Sequence, residues 1–193
     1  MSVADRVRIE EVKLLSDNWY VLKTTRFAFR RNDGSWQVQN RETYDRGNGA
    51  VILPYDEDRR TVLLVSQFRL PAFVNGFDDL MLEAPAGLLE GADPAERIRA
   101  EAEEECGYRI EEPQFIFSAF MSPGSVTERL HFYVGRYRPS DRISDGGGNP
   151  GEGEDIEVIE LGVDRALAMI ASGDIVDAKT IMLLQYAALH IFR

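Results

Sequence analysis

The chain has 193 residues, of which 44% are hydrophobic, and a formal net charge of −11. It is long enough to bury a core, and too acidic for nucleic acid or an anionic membrane surface to be its main partner. No apolar run approaches the roughly 18 residues of a membrane-spanning helix, the opening MSVADRVRIEEVK lacks the apolar stretch of a signal peptide, and a lone cysteine, Cys106, excludes an intrachain disulfide and fits a reducing cytoplasm.

Residues 5–45 read as strands: VRIEEVKLL, then WYVLKTTRFAFR, then a turn at Asn32-Asp33-Gly34, then SWQVQNRETYD. Asp-Gly between alternating segments is a hairpin signal. Three such strands have little core of their own and must pack on the rest of the chain or on a second copy. Trp19 reads either as sheet packing or as a stacking surface for a nucleobase. A main domain then begins. AVILPY and TVLLVSQF are short, β-branched and continuously apolar, which predicts strands buried on both faces, joined by the polar turn Asp56 to Arg60. Arg69 ends the second of them. It is either a solvated arginine or, through its planar donor fork, a phosphate contact.

Pro85-Ala86-Gly87 opens a loop whose small residues allow close approach to a ligand. It leads into a helix with explicit limits: Asp93 as N-cap, Pro94 at the first helical position, Glu96 three residues after the cap, and Gly107 as the stop. At about 100° per residue, Ala95, Ile98, Ala102 and Cys106 form an apolar stripe, with Glu105 at its edge, Glu101 one turn above it and Glu104 on the flank. Such a pair of carboxylates is destabilised by like charge and by burial, and a divalent cation relieves both. The plainer reading is a solvated acidic face. Cys106, on the stripe, reads as a packed thiol rather than a nucleophile.

Beyond the helix, FIFSAF and LHFYVGRY are further strands, separated by the turn-rich Met121 to Glu128, where Glu128 alone reads as a surface residue. The segment 138–155, rich in Gly and Asp, reads by composition as a linker and by its position inside a domain as a functional lid. IEVIEL follows as a strand, then a helix from about Asp164 to Ser172 closed by Gly173, then a last helix from Asp177 through His190. Lys179 in its first turn opposes the helix dipole, which leaves a phosphate-binding role open. His131 and His190 do not make a metal motif.

Gly87, Asp93 and the run Ala100-Glu101-Ala102-Glu103-Glu104-Glu105-Cys106-Gly107-Tyr108 together resemble the box of the Nudix hydrolases, Gly-x5-Glu-x7-Arg-Glu-U-x-Glu-Glu-x-Gly-U, where U is aliphatic or aromatic. Three departures stand out: Asp93 replaces the first Glu, the spacer is one residue short, and Ala100 replaces the Arg. Arg97, one turn before Glu101, is placed to take over an orienting ion pair. The resemblance extends over nearly the whole chain to the bacterial GDP-mannose-hydrolysing members. It runs through Leu15 to Trp19, Arg41 to Ala50, Gln67-Phe68-Arg69, Val74-Asn75-Gly76, Met121 to Gly124, Glu154 to Glu157 and Asp177 to Thr180. ADP-ribose and ADP-sugar pyrophosphatases are further relatives.

That resemblance implies an α/β fold, a Nudix α/β/α sandwich with a mixed sheet. It divides the chain into an N-terminal β subdomain, 1–45, used in dimerisation and in the substrate pocket, and a hydrolase domain, 46–193. It implies a homodimer whose N-terminal strands reach the partner's site, and Mg²⁺ or Mn²⁺ as cofactor. The metal set would be Glu101, Glu105, Glu154 and the Ala86 carbonyl. Glu154, Glu105, Glu101 and Glu104 would carry the catalysis. Trp19, Asn40, Arg41, Glu42, Arg69, Ala86, Gly87, Leu88, Glu128 and Lys179 would bind the substrate. Gly153 and Asn40 depart from the relatives, which have an acidic and a basic residue there. The implied reaction is hydrolysis of the pyrophosphate of a cytoplasmic nucleotide sugar, with GDP-mannose preferred and ADP-ribose or an ADP-sugar as the alternative. A nucleotide-sensing module without turnover is the reading from another class.

Overall fold

The alternating segments at the start of the chain form an antiparallel meander, β1 (Val7–Asp17), β2 (Val21–Arg30) and β3 (Trp36–Asp45), in that spatial order. The computed structural model describes residues 2–193, the side chain of Glu152 excepted. The hairpin closes at Asn32-Asp33-Gly34, where the Asp33 carboxylate accepts hydrogen bonds from the Ser35 amide (2.9 Å) and hydroxyl (2.6 Å). The meander has almost no interior. Ala28 is its one buried hydrophobic side chain among the described residues, while Ile9, Val12, Leu14 and Val38 are exposed. Trp19, at the turn between β1 and β2, is 79% exposed and packs edge-to-face with Tyr20. This corrects the sheet-packing expectation for that indole.

Residues up to Asn48 form one compact unit together with Phe120–Arg129. The added segment is tied on by a parallel bridge, Tyr44 to Val126. In it the Tyr44 amide donates to the Ser125 carbonyl (2.8 Å) and the Thr127 amide to the Tyr44 carbonyl (3.1 Å).

The second unit, Gly49–Ala119 with Leu130–Arg193, is built on β4 (Gly49–Asp56) and β5 (Thr61–Gln67), the two continuously apolar runs. Its mixed sheet has the order β10-β5-β4-β9-β8, where β8 is Gln114–Phe120, β9 Arg129–Arg136 and β10 Glu157–Gly162. β4 runs parallel to β9, and β5 antiparallel to β10. Strands covered on both faces need no polar alternation, and Ala50 through Leu53 and Leu64 through Val65 are fully buried.

β4 and β5 pair at only two positions, Tyr55 with Val62 and Asp56 with Thr61, and then diverge. The segment 81–88 fills the fork. β6 (Met81–Glu83) pairs with β5, and β7 (Ala86–Leu88) pairs with β4. The Pro85 carbonyl, at the apex, accepts from the Ile52 amide at 3.0 Å. A short helix, α1 (Leu70–Val74), precedes it.

One face of the sheet, through Ala50, Ile52, Leu63 and Val65, takes Ile98, Ala102 and Cys106 of α2 (Pro94–Cys106). Fully burying a side chain such as Ile98 contributes about 1.5–3 kcal/mol. The intervening Val51, Leu53 and Leu64 serve the other face. α4 (Ala178–His190) lies along β4 and buries Leu183, Leu184 and Ala187, and α3 (Val163–Ser172) packs on α4 and β10. No helix of the described residues is long and apolar enough to cross a membrane.

The segment 138–155 is not a free linker. The Ile143 and Ser144 amides donate to the Gly107 carbonyl, Gly147 to Glu105 (3.0 Å) and Gly148 to Glu104 (3.2 Å). These are carbonyls left without helical partners at the end of α2, so the glycine-rich composition serves close docking onto that helix.

Candidate active site

α2 begins where the sequence places it. The Asp93 carboxylate accepts from the Ala95 (2.9 Å) and Glu96 (3.2 Å) amides, Pro94 follows, and Gly107 closes the helix at φ 74°. Between these limits the packed stripe Ile98, Ala102 and Cys106 fixes the rotation of the helix, and with it which glutamates face inward. Glu101 and Glu105 are 6% and 2% exposed, Glu104 points to solvent, and Glu103 is half-buried and paired with Arg109.

The fork brings β7 against these two carboxylates. The Ala86 amide donates to Glu105 Oε2 at 3.1 Å. At Gly87 a Cβ would overlap the Glu101 carboxylate, so glycine is what permits the strand to lie this close. Arg97 completes the corner, pairing with Glu101 Oε1 at 2.6 Å and donating from Nε to the Leu88 carbonyl at 3.0 Å. One side chain thereby orients a carboxylate and ties β7 to α2.

Burial first, then the negative charges of Glu101 and Glu154, push the Glu105 carboxyl up to about 8. Glu154 arrives on the docked loop, where its Oε2 accepts from the Asn149 amide at 2.8 Å. Among the described residues no three acidic, imidazole or thiol side chains converge tightly enough to form a ready-made metal cage. The donor set is instead two buried carboxylates, the Ala86 main chain whose amide meets one of them, and Glu154 within electrostatic reach of Glu105. A set of three carboxylates with one close cation, Arg97, suits a hard divalent ion that keeps part of its water shell, and the residues fit that group.

The cations of the site are equally constrained. Arg69 donates from Nε (2.8 Å) and pairs from Nη2 (2.7 Å) with Glu83 Oε2, while Lys179 Nζ lies 3.0 Å from Glu83 Oε1 and 3.0 Å from Asp177 Oδ1. Burial pushes the Glu83 carboxyl up, but Lys179 and Arg69 overcome this and hold it below the ordinary carboxylate value.

Known proteins share this chain from end to end. A family model described as the GDP-mannose pyrophosphatase NudK N-terminal domain matches residues 6–44. A GDP-mannose pyrophosphatase of Yersinia pestis (strain Pestoides F) is 49% identical over 189 residues, covering 96% of this chain and 94% of that protein. One of Pectobacterium atrosepticum is 50% identical over 185 residues, 95% of each. The chain belongs to the GDP-mannose pyrophosphatase family of Nudix hydrolases. A crystal structure of an ADP compounds hydrolase superposes with a TM-score of 0.74 over 97% of both chains at 15% identity, so the expected Nudix fold, α/β with a mixed sheet and an antiparallel N-terminal sheet, is the fold found. Nudix pyrophosphatases generally use divalent metal ions.

Within this family member, the structure groups Arg69, Ala86, Gly87, Glu101, Glu105, Glu154 and Lys179 around the fork. Leu88 takes part through its carbonyl, and Glu104 lies on the exposed flank of α2. Trp19, Asn40, Arg41, Glu42 and Glu128 belong to the N-terminal unit. There Asn40, Arg41 and Glu42 are exposed on β3, and Glu128 pairs with Arg46 at 3.4 Å. Sequence reasoning missed Glu83. The available signal was an acidic residue in a short apolar stretch ahead of Pro85, a placement that demands a cationic partner once the strand is buried.

Proposed function

We propose that the protein hydrolyses the pyrophosphate of a nucleotide sugar, GDP-mannose before others, to GMP and mannose 1-phosphate. The observation that carries this reading is the pair of buried carboxylates, Glu101 and Glu105, with Arg69 close enough for its charge to act on Glu105 and held, together with Lys179, by Glu83. The 49–50% identity with GDP-mannose pyrophosphatases over 95–96% of the chain supports the choice of substrate.

Glu101, Glu105, the Ala86 carbonyl and Glu154 would hold Mg²⁺, and Mn²⁺ in its place. Bound there, the cation would supply neutralising charge for the pyrophosphate and polarise its phosphorus. Arg69 and Lys179 orient the phosphates. The Glu154 carboxylate takes the proton of the attacking water as its oxygen bonds to one phosphorus and the bridging oxygen leaves with the other phosphate. Glu104 assists from the flank. Trp19, Asn40, Arg41, Glu42 and Glu128 would contact the nucleoside and sugar, with the N-terminal β subdomain, 1–45, serving the partner's site in a homodimer and the hydrolase domain, 46–193, carrying the chemistry. The exposed Ile9, Val12, Leu14 and Val38 of the meander support such an association. The compartment assigned is the cytoplasm, where nucleotide sugars would be met.

Turnover of GDP-mannose, ADP-ribose and ADP-glucose with Mg²⁺, with products resolved by chromatography, tests the reading. GDP-mannose is expected to have the highest kcat/KM. Faster ADP-ribose cleavage transfers the assignment to the ADP-sugar enzymes, and no cleavage of any of them overturns hydrolysis.

A further inference from the structure

Glu83 is a charged side chain at the centre of the site that the reaction as described does not use. It is 4% exposed, ends β6, and sits next to Ala84, whose amide donates to Thr180 Oγ1 at 2.7 Å. Strand pairing with Val65 and the tie to α4 fix its backbone. Each of its carboxylate oxygens is assigned to a different cation, Oε2 to Arg69 and Oε1 to Lys179. Asp177 shares Lys179, but its other oxygen already accepts from the Thr180 amide (3.0 Å) and hydroxyl (2.6 Å). Two cations and two carboxylates therefore cancel, and Glu83 is in direct contact with both cations.

After Glu83, the carboxylate whose charge acts most on Arg69 is Glu105, ahead of Asp177. A guanidinium released from Glu83 would move toward that charge, because a half-buried cation without a partner is costly. It would then occupy an oxygen that the proposed divalent ion needs.

We propose that Glu83 is a positioning residue that keeps Arg69 off Glu105 and holds Arg69 and Lys179 aimed at the phosphates of the substrate. This inference rests on the metal-dependent reading above. One short segment, 83–88, thus has two duties: its first residue holds the phosphate-binding cations, and the Ala86-Gly87 stretch lies against the metal-binding carboxylates. Insertion of the segment into the β4–β5 fork fixes the spacing between the two.

The test combines Mn²⁺ titration, followed by electron paramagnetic resonance of the free ion, with steady-state kinetics in Mg²⁺. It uses the wild type, Glu83→Gln, Glu83→Asp and the double variant Glu83→Gln/Arg69→Gln. Glu83→Gln is expected to weaken Mn²⁺ binding about tenfold and to raise KM for GDP-mannose by about as much, the range of couplings between charged neighbours. Glu83→Asp should shift both in the same direction by less, and carries the test if Glu83→Gln does not fold. In the double variant Mn²⁺ affinity should return toward wild type while KM stays high, because the competing guanidinium is gone. Wild-type Mn²⁺ affinity and KM in the folded Glu83→Gln protein, even with a lowered melting temperature, would leave Glu83 a purely structural role and overturn the proposal. So would a double variant that binds Mn²⁺ no better than the single one. Failure of the wild type itself to bind Mn²⁺ would instead overturn the metal-dependent reading.

Discussion

Arg97 lies one helical turn before Glu101 and pairs with its Oε1 at 2.6 Å, so a helix that lacks the box arginine at Ala100 still presents an oriented carboxylate. Arg97→Ala removes this pair and the hydrogen bond to Leu88, and is expected to lower kcat at least tenfold while KM changes less. Loss of charged hydrogen bonds at a partly buried site should cost about 1.5–3 kcal/mol of stability. Arg97→Lys keeps the charge but cannot span Glu101 and the Leu88 carbonyl together, so kinetics should recover only in part. Equal kcat in Arg97→Ala would show that Glu101 needs no such orientation.

The metal-free protein should lose stability as pH rises. The Glu105 carboxyl titrates from 4.5 in the unfolded chain to about 8 in the folded one, so the folded state holds this proton more tightly. Its contribution is then complete below the unfolded value and is lost as pH climbs through the folded value. Melting temperatures without metal should accordingly fall relative to Glu105→Gln between about pH 5 and about pH 9. Saturating Mg²⁺ should reverse the trend in the wild type and do little in the variant, whose turnover should be abolished. A wild-type and variant difference that does not change with pH would remove Glu105 from this linkage.

Close backbone approach gives a third expectation. A methyl group at Gly87 would overlap the Glu101 carboxylate, and one at Gly148 would overlap the carboxylate of Glu154, whereas Gly162 faces open space. Gly87→Ala should weaken Mn²⁺ binding and reduce turnover by two or more orders of magnitude, about the cost of misplacing a group near the chemistry by an ångström. Gly148→Ala should lower kcat chiefly, and Gly162→Ala should leave kinetics unchanged. Circular dichroism would establish that all three fold.

The caps of α2 and the paired buried strands β4 and β5 were readable in the sequence because they are local. Asp93, Pro94 and Gly107 mark helix ends by their own chemistry, and strands covered on both sides must be apolar throughout. The fork between β4 and β5 was not readable. It is made of three-residue strands, too short to show any period, and depends on where β4 and β5 separate. Glu83 went unrecognised for the same reason, since its partners lie 14 and 96 residues away. The Gly- and Asp-rich segment 138–155 read as a linker or a lid, and its tight docking was not foreseen. The amides that bind the end of α2 decide it, and no composition encodes which carbonyls they will meet.

Glu154 carries two proposed roles, metal ligand and base. The carboxylate is half-buried and held by the Asn149 amide, and its charge acts on Glu105. Glu154→Gln keeps the shape and the acceptor oxygen but cannot take a proton. If Glu154 is the base, kcat should fall by about 10²–10⁴ while KM and Mn²⁺ affinity stay close to wild type, since the ligand oxygens of Glu101, Glu105 and Ala86 are untouched. If it is chiefly a ligand, Mn²⁺ affinity falls with kcat, and raised metal concentration restores part of the rate. The first pattern is expected to dominate, with at most a small loss of Mn²⁺ affinity, because the amide keeps an acceptor oxygen on the docked loop for the ion while it cannot take the proton. Undiminished kcat in Glu154→Gln would place the base elsewhere, with Glu128 the next carboxylate to replace.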